Sequence, residues 1–177
     1  TFNSITINWL PEIIKTLPEK HPNNEIRNLQ GTYTNILDWL QTSAVDLAFV
    51  SNAMMPMHMK SIPLHKDRIT CVVPKGFQTK NAGYVTIEDI QDMTFVMPGA
   101  DYDQEARRIL QRYRLSVHSQ FHVDTDSAIV AMVEAGFGVS ILTKLICQSC
   151  VGNVDIYPFV PENYRVISLA YPNAQYH

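Results

Sequence analysis

Hydroxyl and amide side chains cluster at the positions where predicted strands end and predicted helices begin. The free N–H groups and positive dipole of a helix N-terminus favour a carboxylate or another anion. In open α/β sheets, ligands lie outside the carboxyl ends of the strands. Such side chains suit hydrogen bonds to a small polar metabolite. The predicted ligand-binding residues are Asn3, Ser4, Thr32, Tyr33, Ser51, Gly99, Ala100, Tyr102, Asp124 and Thr125.

A purely structural role competes with binding at several of these positions. Ser4, Asp124 and Thr125 could serve only as helix caps, each contributing about 1 kcal/mol to stability. Asp101 and Asp103 would repel an anion, which argues against a strongly acidic ligand. The pattern therefore predicts a polar site without deciding how much charge its ligand carries.

Catalytic and metal-binding patterns find little support in the chain. It contains no G-x-S-x-G, H-E-x-x-H or Walker sequence, so no catalytic residue is predicted and the protein is not expected to be an enzyme. Cys71, Cys147 and Cys150 are an odd number of cysteines, which favours a reducing compartment over a disulfide framework. Zinc at Cys147-x-x-Cys150 would need two further ligands, so these thiols are predicted to be half-buried at a helix end, with no metal or cofactor.

The composition indicates a folded domain that does not itself bind nucleic acid. Of 177 residues, 46% are hydrophobic and 18% charged, and the net charge is −3. A nucleic-acid-binding domain normally carries a basic patch. The densest basic cluster is Arg107, Arg108, Arg112 and Arg114, which is predicted to be the solvated face of a helix rather than a phosphate site. Apolar runs fall short of the ~20 residues of a membrane helix.

Helix and strand patterns alternate along the chain. Ser4 is expected to cap a first helix, and Gly136 to end the helix that precedes residues 139–142. Helices are predicted at 5–20, 34–41, 104–113 and 128–135, with a short one opening at Thr86. Strands are predicted at 25–29, 46–50, 62–64, 68–73, 94–97, 116–123, 139–142, 154–160 and 165–171. This alternation predicts an α/β fold in two halves, with helices on both faces of a largely parallel sheet.

Several segments resemble the effector-binding domain of LysR-type transcriptional regulators. The Gly136-x-Gly138 junction is similar to that family's V-x-A-G-x-G-I segment. Ser43 stands where the family pattern has glycine, and Thr143 where proline is common. The further matching segments are Ser4–Ile14, His21-Pro22 with Ile26, Gly31-Thr32 with Leu37 and Leu40, Asp46–Phe49, and Val85–Ile90.

The resemblance implies two Rossmann-like lobes with mixed, mainly parallel sheets, a type II periplasmic-binding-protein-like fold. Lobe I would comprise residues 1–71 and 159–177, with its first strand and last helix absent, and lobe II residues 72–158. Ser4, Thr32, the turn 99–103 and Thr125 would fall in effector-contact regions.

The implied function is to sense an effector and to dimerise in a cytoplasmic transcriptional regulator. A small polar or anionic metabolite would bind between the lobes, and a preceding winged helix-turn-helix, absent from these residues, would bind DNA. The first helix, with Trp9, Ile13 and Leu17, would contribute to a two-fold homodimer. The alternative is a solute-binding protein of a transport system with the same fold.

Overall fold

The computed structural model describes residues 1–56, 59–99, 104–116 and 121–172. The chain forms two compact units: unit 1 is Thr1–Lys66 together with the chain from Val166, and unit 2 is Asp67–Arg165. Two long strands carry the chain from one unit into the other. The predicted boundaries, after residue 71 and before residue 159, both fall inside unit 2 of this division.

The elements follow the predicted alternation. In unit 1 they are α1 (Asn3–Asn8), α2 (Leu10–Lys20), α3 (Tyr33–Gln41), β1 (Ala48–Ser51) and a 3-10 turn (Asn52–Met54). The crossing strands are β2 (Lys60–Pro74) and β8 (Tyr164–Tyr171). In unit 2 they are β3 (Val85–Thr86), α4 (Ile87–Ile90), β4 (Val96–Pro98), α5 (Glu105–Arg112), β5 (Phe121–Val123), α6 (Asp126–Glu134), β6 (Ser140–Thr143), α7 (Lys144–Ser149) and β7 (Val154–Val160).

The first predicted helix is in fact two helices, and Ser4 does not cap it. Helix α1 begins at Asn3, so Ser4 is its second residue and its side chain is buried. A continuous helix would need a hydrogen bond from residue 11 to residue 7, but Pro11 has no N–H to donate. The helix therefore breaks at Trp9 and resumes at Leu10.

The strand predicted at residues 25–29 is absent from the described structure, although the end of the segment is hydrogen-bonded to Thr1. The Thr1 amino group donates to the Leu29 carbonyl at 2.7 Å, and the Gly31 N–H donates to the Thr1 carbonyl at 3.1 Å. A strand ladder needs several paired residues on each side. Hydrogen bonds with the single residue Thr1 therefore do not make this segment a strand.

The two strands predicted at 62–64 and 68–73 are one continuous strand, β2. Asp67 lies in the gap between the two predicted strands and is 1% exposed. Its carboxylate accepts hydrogen bonds from the Arg165 side chain at 3.0 Å and from the Leu145 N–H at 3.0 Å. Burial of Asp67 is possible because both oxygens have partners, and the strand passes through without a break.

Unit 2 has a sheet with apolar clusters on both faces. Ile69, Cys71 and Val73 of β2 pack in one cluster and Val72 in the other, as the two-residue period of a strand requires. Strand β2 pairs antiparallel with β6 and β7, and β3 pairs parallel with β7. In unit 1, β1 pairs antiparallel with β8. The predicted α/β fold with mixed sheets is confirmed, but the described strand pairs are mainly antiparallel rather than mainly parallel, because the long strand β2 runs against β6 and β7 and β8 runs against β1.

The junction after α6 has the predicted form. Gly136 has φ +82°, the left-handed conformation that commonly follows a helix end. Gly138 lies against the neighbouring chain, since a Cβ there would come within 2.3 Å of the Thr94 carbonyl oxygen. The Val139 N–H donates to that same carbonyl at 2.9 Å, so Gly138 permits the close approach that starts β6.

None of the helices within the described ranges is long and apolar enough to cross a membrane.

Candidate functional site

Two parallel strands of unit 2 end side by side and place predicted site residues next to each other. Strands β4 and β5 pair with Pro98 opposite Val123. The Gly99 N–H donates to the Val123 carbonyl at 3.0 Å, which continues the pairing past the end of β4. Gly99 and Asp124 therefore follow neighbouring carboxyl ends, the edge at which α/β folds bind ligands.

Asp124 lies directly against Gly99. A Cβ on Gly99 would be 1.9 Å from Asp124 Oδ1, far inside van der Waals contact. Residue 99 is accordingly restricted to glycine as long as the carboxylate keeps this position. The Asp124 side chain is exposed, so its charge is available to solvent or to a ligand.

Thr125 caps helix α6, as the sequence predicts for this segment. Its hydroxyl accepts a hydrogen bond from the Ala128 N–H at 3.3 Å and lies 3.5 Å from the Ser127 hydroxyl. Ser127 is the second residue of α6, so its hydroxyl also lies in the first turn of the helix. We call Gly99, Arg107, Asp124 and Thr125 the unit 2 set.

Arg107 is the residue of this set that sequence reasoning missed. It was grouped with the solvated face of a helix, and the exposed Arg108 fits that description. Arg107 instead donates from Nη2 to the Pro98 carbonyl at 3.3 Å, at the end of β4, and its Nε is buried. Helix periodicity contained the signal: Ala106, Ile109 and Leu110 are the buried face of α5, and Arg107 adjoins it.

The predicted residues of unit 1 occupy helix starts and a strand end. Thr32 caps α3 in a reciprocal box with Asn35: its hydroxyl accepts from the Asn35 N–H at 3.3 Å and donates to Asn35 Oδ1 at 2.8 Å. Tyr33 is 5% exposed, and its ring centroid lies 5.2 Å from that of Phe2. Phe2 is buried as well, so it packs in the core.

The remaining predicted residues of unit 1 are Asn3, Ser4 and Ser51. Asn3 Oδ1 accepts from Gln30 Nε2 at 3.4 Å, which brings the start of α1 beside the segment leading to Thr32. Ser4 and Ser51 are 2% and 0% exposed. We call Asn3, Ser4, Thr32, Tyr33 and Ser51 the unit 1 set.

Ala100 and Tyr102, also predicted to bind ligand, lie outside the described residues, as do Asp101 and Asp103.

The thiols lie at the positions expected of packing side chains: Cys71 is buried, and Cys147 and Cys150 are half-buried. Cys147 lies on α7 and Cys150 follows its last residue. Burial raises the pKa of Cys147 to about 12 and that of Cys150 to about 11, and it raises the pKa of Cys71 further. A neutral thiol is a weak nucleophile and a weak metal ligand. Across the described parts of the chain, His, Cys, Asp and Glu side chains do not group in threes that could hold a metal ion.

Sequence comparison places the whole chain in one family. The family described as LysR substrate binding domain matches residues 1–177. The uncharacterized HTH-type transcriptional regulator YvbU of Bacillus subtilis (strain 168) is 22% identical over 176 residues, which are 98% of this chain and 59% of that protein. The HTH-type transcriptional activator IlvY of Haemophilus influenzae is 25% identical over 163 residues, 84% of this chain and 53% of that protein. This chain thus spans less than two thirds of these relatives.

Comparison with solved structures shows the same fold. The regulatory domain of Synechocystis PCC6803 CcmR in complex with 2-PG has a TM-score of 0.84 at 15% identity, over 98% of this chain and 86% of that one. The effector binding domain of QuiR in complex with shikimate has a TM-score of 0.83 at 20% identity, over 99% and 86%. The curated relatives are transcriptional regulators, which disfavours the transport-protein alternative.

Proposed function

The chain belongs to the LysR substrate binding domain family, and from this premise we propose that it senses a small, polar, acidic metabolite for a transcriptional regulator. The observation that supports the proposal most directly is the shared strand edge of unit 2. There Gly99, Asp124 and Thr125 come together beside the cation of Arg107.

The polar atoms of both sets are suited to binding rather than to catalysis. They offer hydroxyls, one carboxylate and one guanidinium, and the thiols of unit 2 are neutral. We propose that the domain binds its effector through groups of these kinds and releases it chemically unchanged.

The ligands named for structurally similar domains support the class of effector. They include 2-PG for CcmR, shikimate for QuiR and benzoate for BenM. Benzoate and shikimate are small carboxylates. We propose a small organic acid here too, with its identity set by residues particular to this chain.

The wider activity belongs to the whole regulator. CbnR, a structural neighbour, has been solved at full length complexed with its target DNA. We propose that a preceding winged helix-turn-helix binds DNA in this protein also, and that the protein works in the cytoplasm, where that DNA lies.

A homodimer is the proposed assembly. Ile7 and Ile14 on the first two helices are 50% and 43% exposed, and Ile62 and Leu64 of β2 are 51% and 49% exposed. Apolar side chains of this number on one unit are suited to burial against a second copy. Light scattering at micromolar concentration should give twice the chain mass.

A screen of small organic acids by thermal shift tests the sensing function. A ligand at about 100 times its dissociation constant stabilises the fold by about 2.7 kcal/mol, a rise of several degrees. Thr32→Ala and Thr125→Ala should each lower the affinity of a hit. Thr16→Ala is the matched control, because the Thr16 hydroxyl donates to the Glu12 carbonyl within its own helix, at 2.8 Å. Equal affinity in all four proteins would count against both sets as the site.

A further inference from the structure

We infer that Arg107 binds the anionic group of the effector while Asp124 accepts a hydrogen bond from a hydroxyl or ammonium group of the same molecule. The inference rests on the proposed function and narrows it. The effector would be a hydroxy acid or an amino acid, rather than an acid with only apolar substituents.

The position of Arg107 is fixed by the helix that carries it. Ala106, Ile109 and Leu110 on α5 are 1%, 5% and 3% exposed and anchor the helix in the unit 2 core. From this anchored backbone the guanidinium reaches the carbonyl of Pro98, the last residue of β4. A cation is thereby held at the strand edge without needing a ligand to order it.

Within the described residues, most donors of this guanidinium have no hydrogen-bond partner. A guanidinium has five N–H donors in a planar fork that matches a carboxylate or a phosphate. In the part of the chain that the structure describes, Arg107 makes one hydrogen bond, to the neutral Pro98 carbonyl, and its buried Nε makes none.

Three other arginines of unit 2 have carboxylate partners, whereas the exposed Arg112 donates to the neutral Asn163 side chain. Arg165 pairs with Asp67 at 2.8 Å and Arg68 with Glu162 at 2.7 Å. Arg108, next to Arg107 in sequence, pairs with Glu105 at 3.6 Å. A partly buried cation is costly without a counter-ion, and a charged partner makes the strongest hydrogen bonds. An incoming anion is thus most strongly favoured at Arg107.

The nearest acidic group of the set is close but does not neutralise this cation. Asp124 and Arg107 form no ion pair within 4.0 Å, although both are described residues. Arg107 contacts the Pro98 carbonyl, and Asp124 contacts Gly99, the next residue. Covalent geometry across those two residues limits the separation of the charged groups to about 9 Å.

A molecule of a few carbon atoms spans such a separation. An acid with no other polar group would satisfy Arg107 and leave Asp124 to water. An acid with a hydroxyl or an ammonium group satisfies both, and the carboxylate of Asp124 repels a second anionic group. Arg107 and Asp124 together therefore fix the orientation of the effector, with its anionic group at Arg107 and its hydroxyl or ammonium group at Asp124.

Titration of the isotopically labelled protein with three small probes tests the inference by NMR. The probes are glycerate, which has both an acid and hydroxyls, propionate, which has only the acid, and glycerol, which has only hydroxyls. At constant ionic strength, glycerate should shift the Arg107 Nε–H and Gly99 amide signals at the lowest concentration. Propionate should need a higher concentration, and glycerol should leave the Arg107 signal in place.

Variants assign the contacts. Arg107→Gln should weaken glycerate binding by about 10-fold or more, the range expected for loss of a charge-assisted hydrogen bond. Arg107→Lys should recover only part of the affinity, because an ammonium lacks the fork. Arg108→Gln, one residue away, should change affinity by less than about twofold. Asp124→Ala removes the acceptor and should abolish the preference for glycerate over propionate.

The outcomes separate this inference from the proposed function. Glycerate binding that is equal in the wild type and Arg107→Gln overturns the inference. A metabolite hit from the thermal-shift screen that binds both proteins equally also overturns it, yet leaves the sensing function standing. A screen in which no acid stabilises the wild type removes the proposed function itself.

Discussion

The two polar sets differ in how their side chains are already used. In unit 1, the Thr32 hydroxyl both donates to and accepts from Asn35, and Ser4 and Ser51 are buried. In unit 2, Arg107 and Asp124 carry opposite charges that do not pair with each other. Unit 1 therefore supplies neutral groups held in place by its own structure. Unit 2 supplies the charges, and by our proposal these choose the chemical class of the ligand.

The largest expected effect is the loss of stability on breaking the buried ion pair of unit 2, which we compare with the loss on changing Arg107. Asp67→Asn leaves Arg165 buried without its counter-ion, and removal of one partner of a buried pair costs about 3–5 kcal/mol. We expect a fall in the melting temperature of roughly 10 °C, given the 2–4 °C per kcal/mol typical of this chain length. Differential scanning calorimetry measures it.

Two further variants give smaller expected losses of stability with which the Asp67→Asn loss can be compared. Glu162→Gln breaks the exposed Arg68 pair and should cost less than about 1 kcal/mol. Arg107→Gln should likewise cost little, because it removes a single hydrogen bond. If Arg107→Gln were as damaging as Asp67→Asn, Arg107 would be a structural residue like Arg165, and the contrast would disappear.

The next effect concerns the close contact of Gly99 with Asp124. Gly99→Ala places a Cβ 1.9 Å from Asp124 Oδ1, so the carboxylate must move. Overpacking of this kind costs about 1–3 kcal/mol. Urea unfolding of both single variants and the double variant measures the coupling.

Asp124→Ala in the Gly99→Ala background should restore most of the lost stability, because it removes the colliding atoms. A double variant no more stable than Gly99→Ala would place the strain elsewhere.

A smaller effect compares the two threonine caps. Thr32→Ala removes both hydrogen bonds of the Thr32 hydroxyl but keeps the one from the Thr32 N–H to Asn35 Oδ1, and Thr125→Ala removes a single cap. Cap losses range from about 0.5 to 2 kcal/mol, and we expect Thr32→Ala near the top of this range and Thr125→Ala near the middle. Thermal unfolding monitored by circular dichroism measures both. The reverse order would mean that the unit 1 set is less tightly held than its hydrogen bonds indicate.

The smallest effect tests whether thiols add charge to unit 2. Burial raises the pKa of Cys147 to about 12, so at pH 8 the thiol is neutral and should react with a disulfide reagent much more slowly than in urea. The half-buried, neutral Cys147 thiol makes its full contribution to stability below pH 9, the ordinary pKa of the thiol. This contribution declines from pH 9 to about pH 12, because the unfolded chain loses the thiol proton at a lower pH than the folded chain does.

Cys147→Ala should flatten that decline. Rapid labelling of Cys147 in the folded protein at pH 8 would contradict the prediction and would restore a redox role for the pair with Cys150.

Local patterns predicted most elements and several site residues. The apolar stripe and Thr-led start of α3, the buried strand β1 and the glycine junction after α6 lie where the sequence indicated them. Prediction failed where distant parts of the chain decide the outcome. Asp67 lies between two predicted strands, and β2 continues through it because Arg165 and Leu145 donate hydrogen bonds to its carboxylate. Segment 25–29 is predicted to be a strand, but its described hydrogen bond with the chain start is to Thr1, a single residue.

The sequence by itself determined the α/β class, the family and the starts of α3 and α6, because periodicity, caps and turn residues act over a few neighbouring positions. Among the described residues, only the tertiary structure decided which charges lack an opposite charge. Arg107 and Arg108 are adjacent and chemically identical, yet one reaches a strand end and the other pairs with Glu105. Whether an arginine is buried, and which group it pairs with, depends on residues far apart in the chain. The difference between Arg107 and Arg108 is therefore visible in the local sequence only through the helical periodicity, which turns Arg107 toward the unit 2 core.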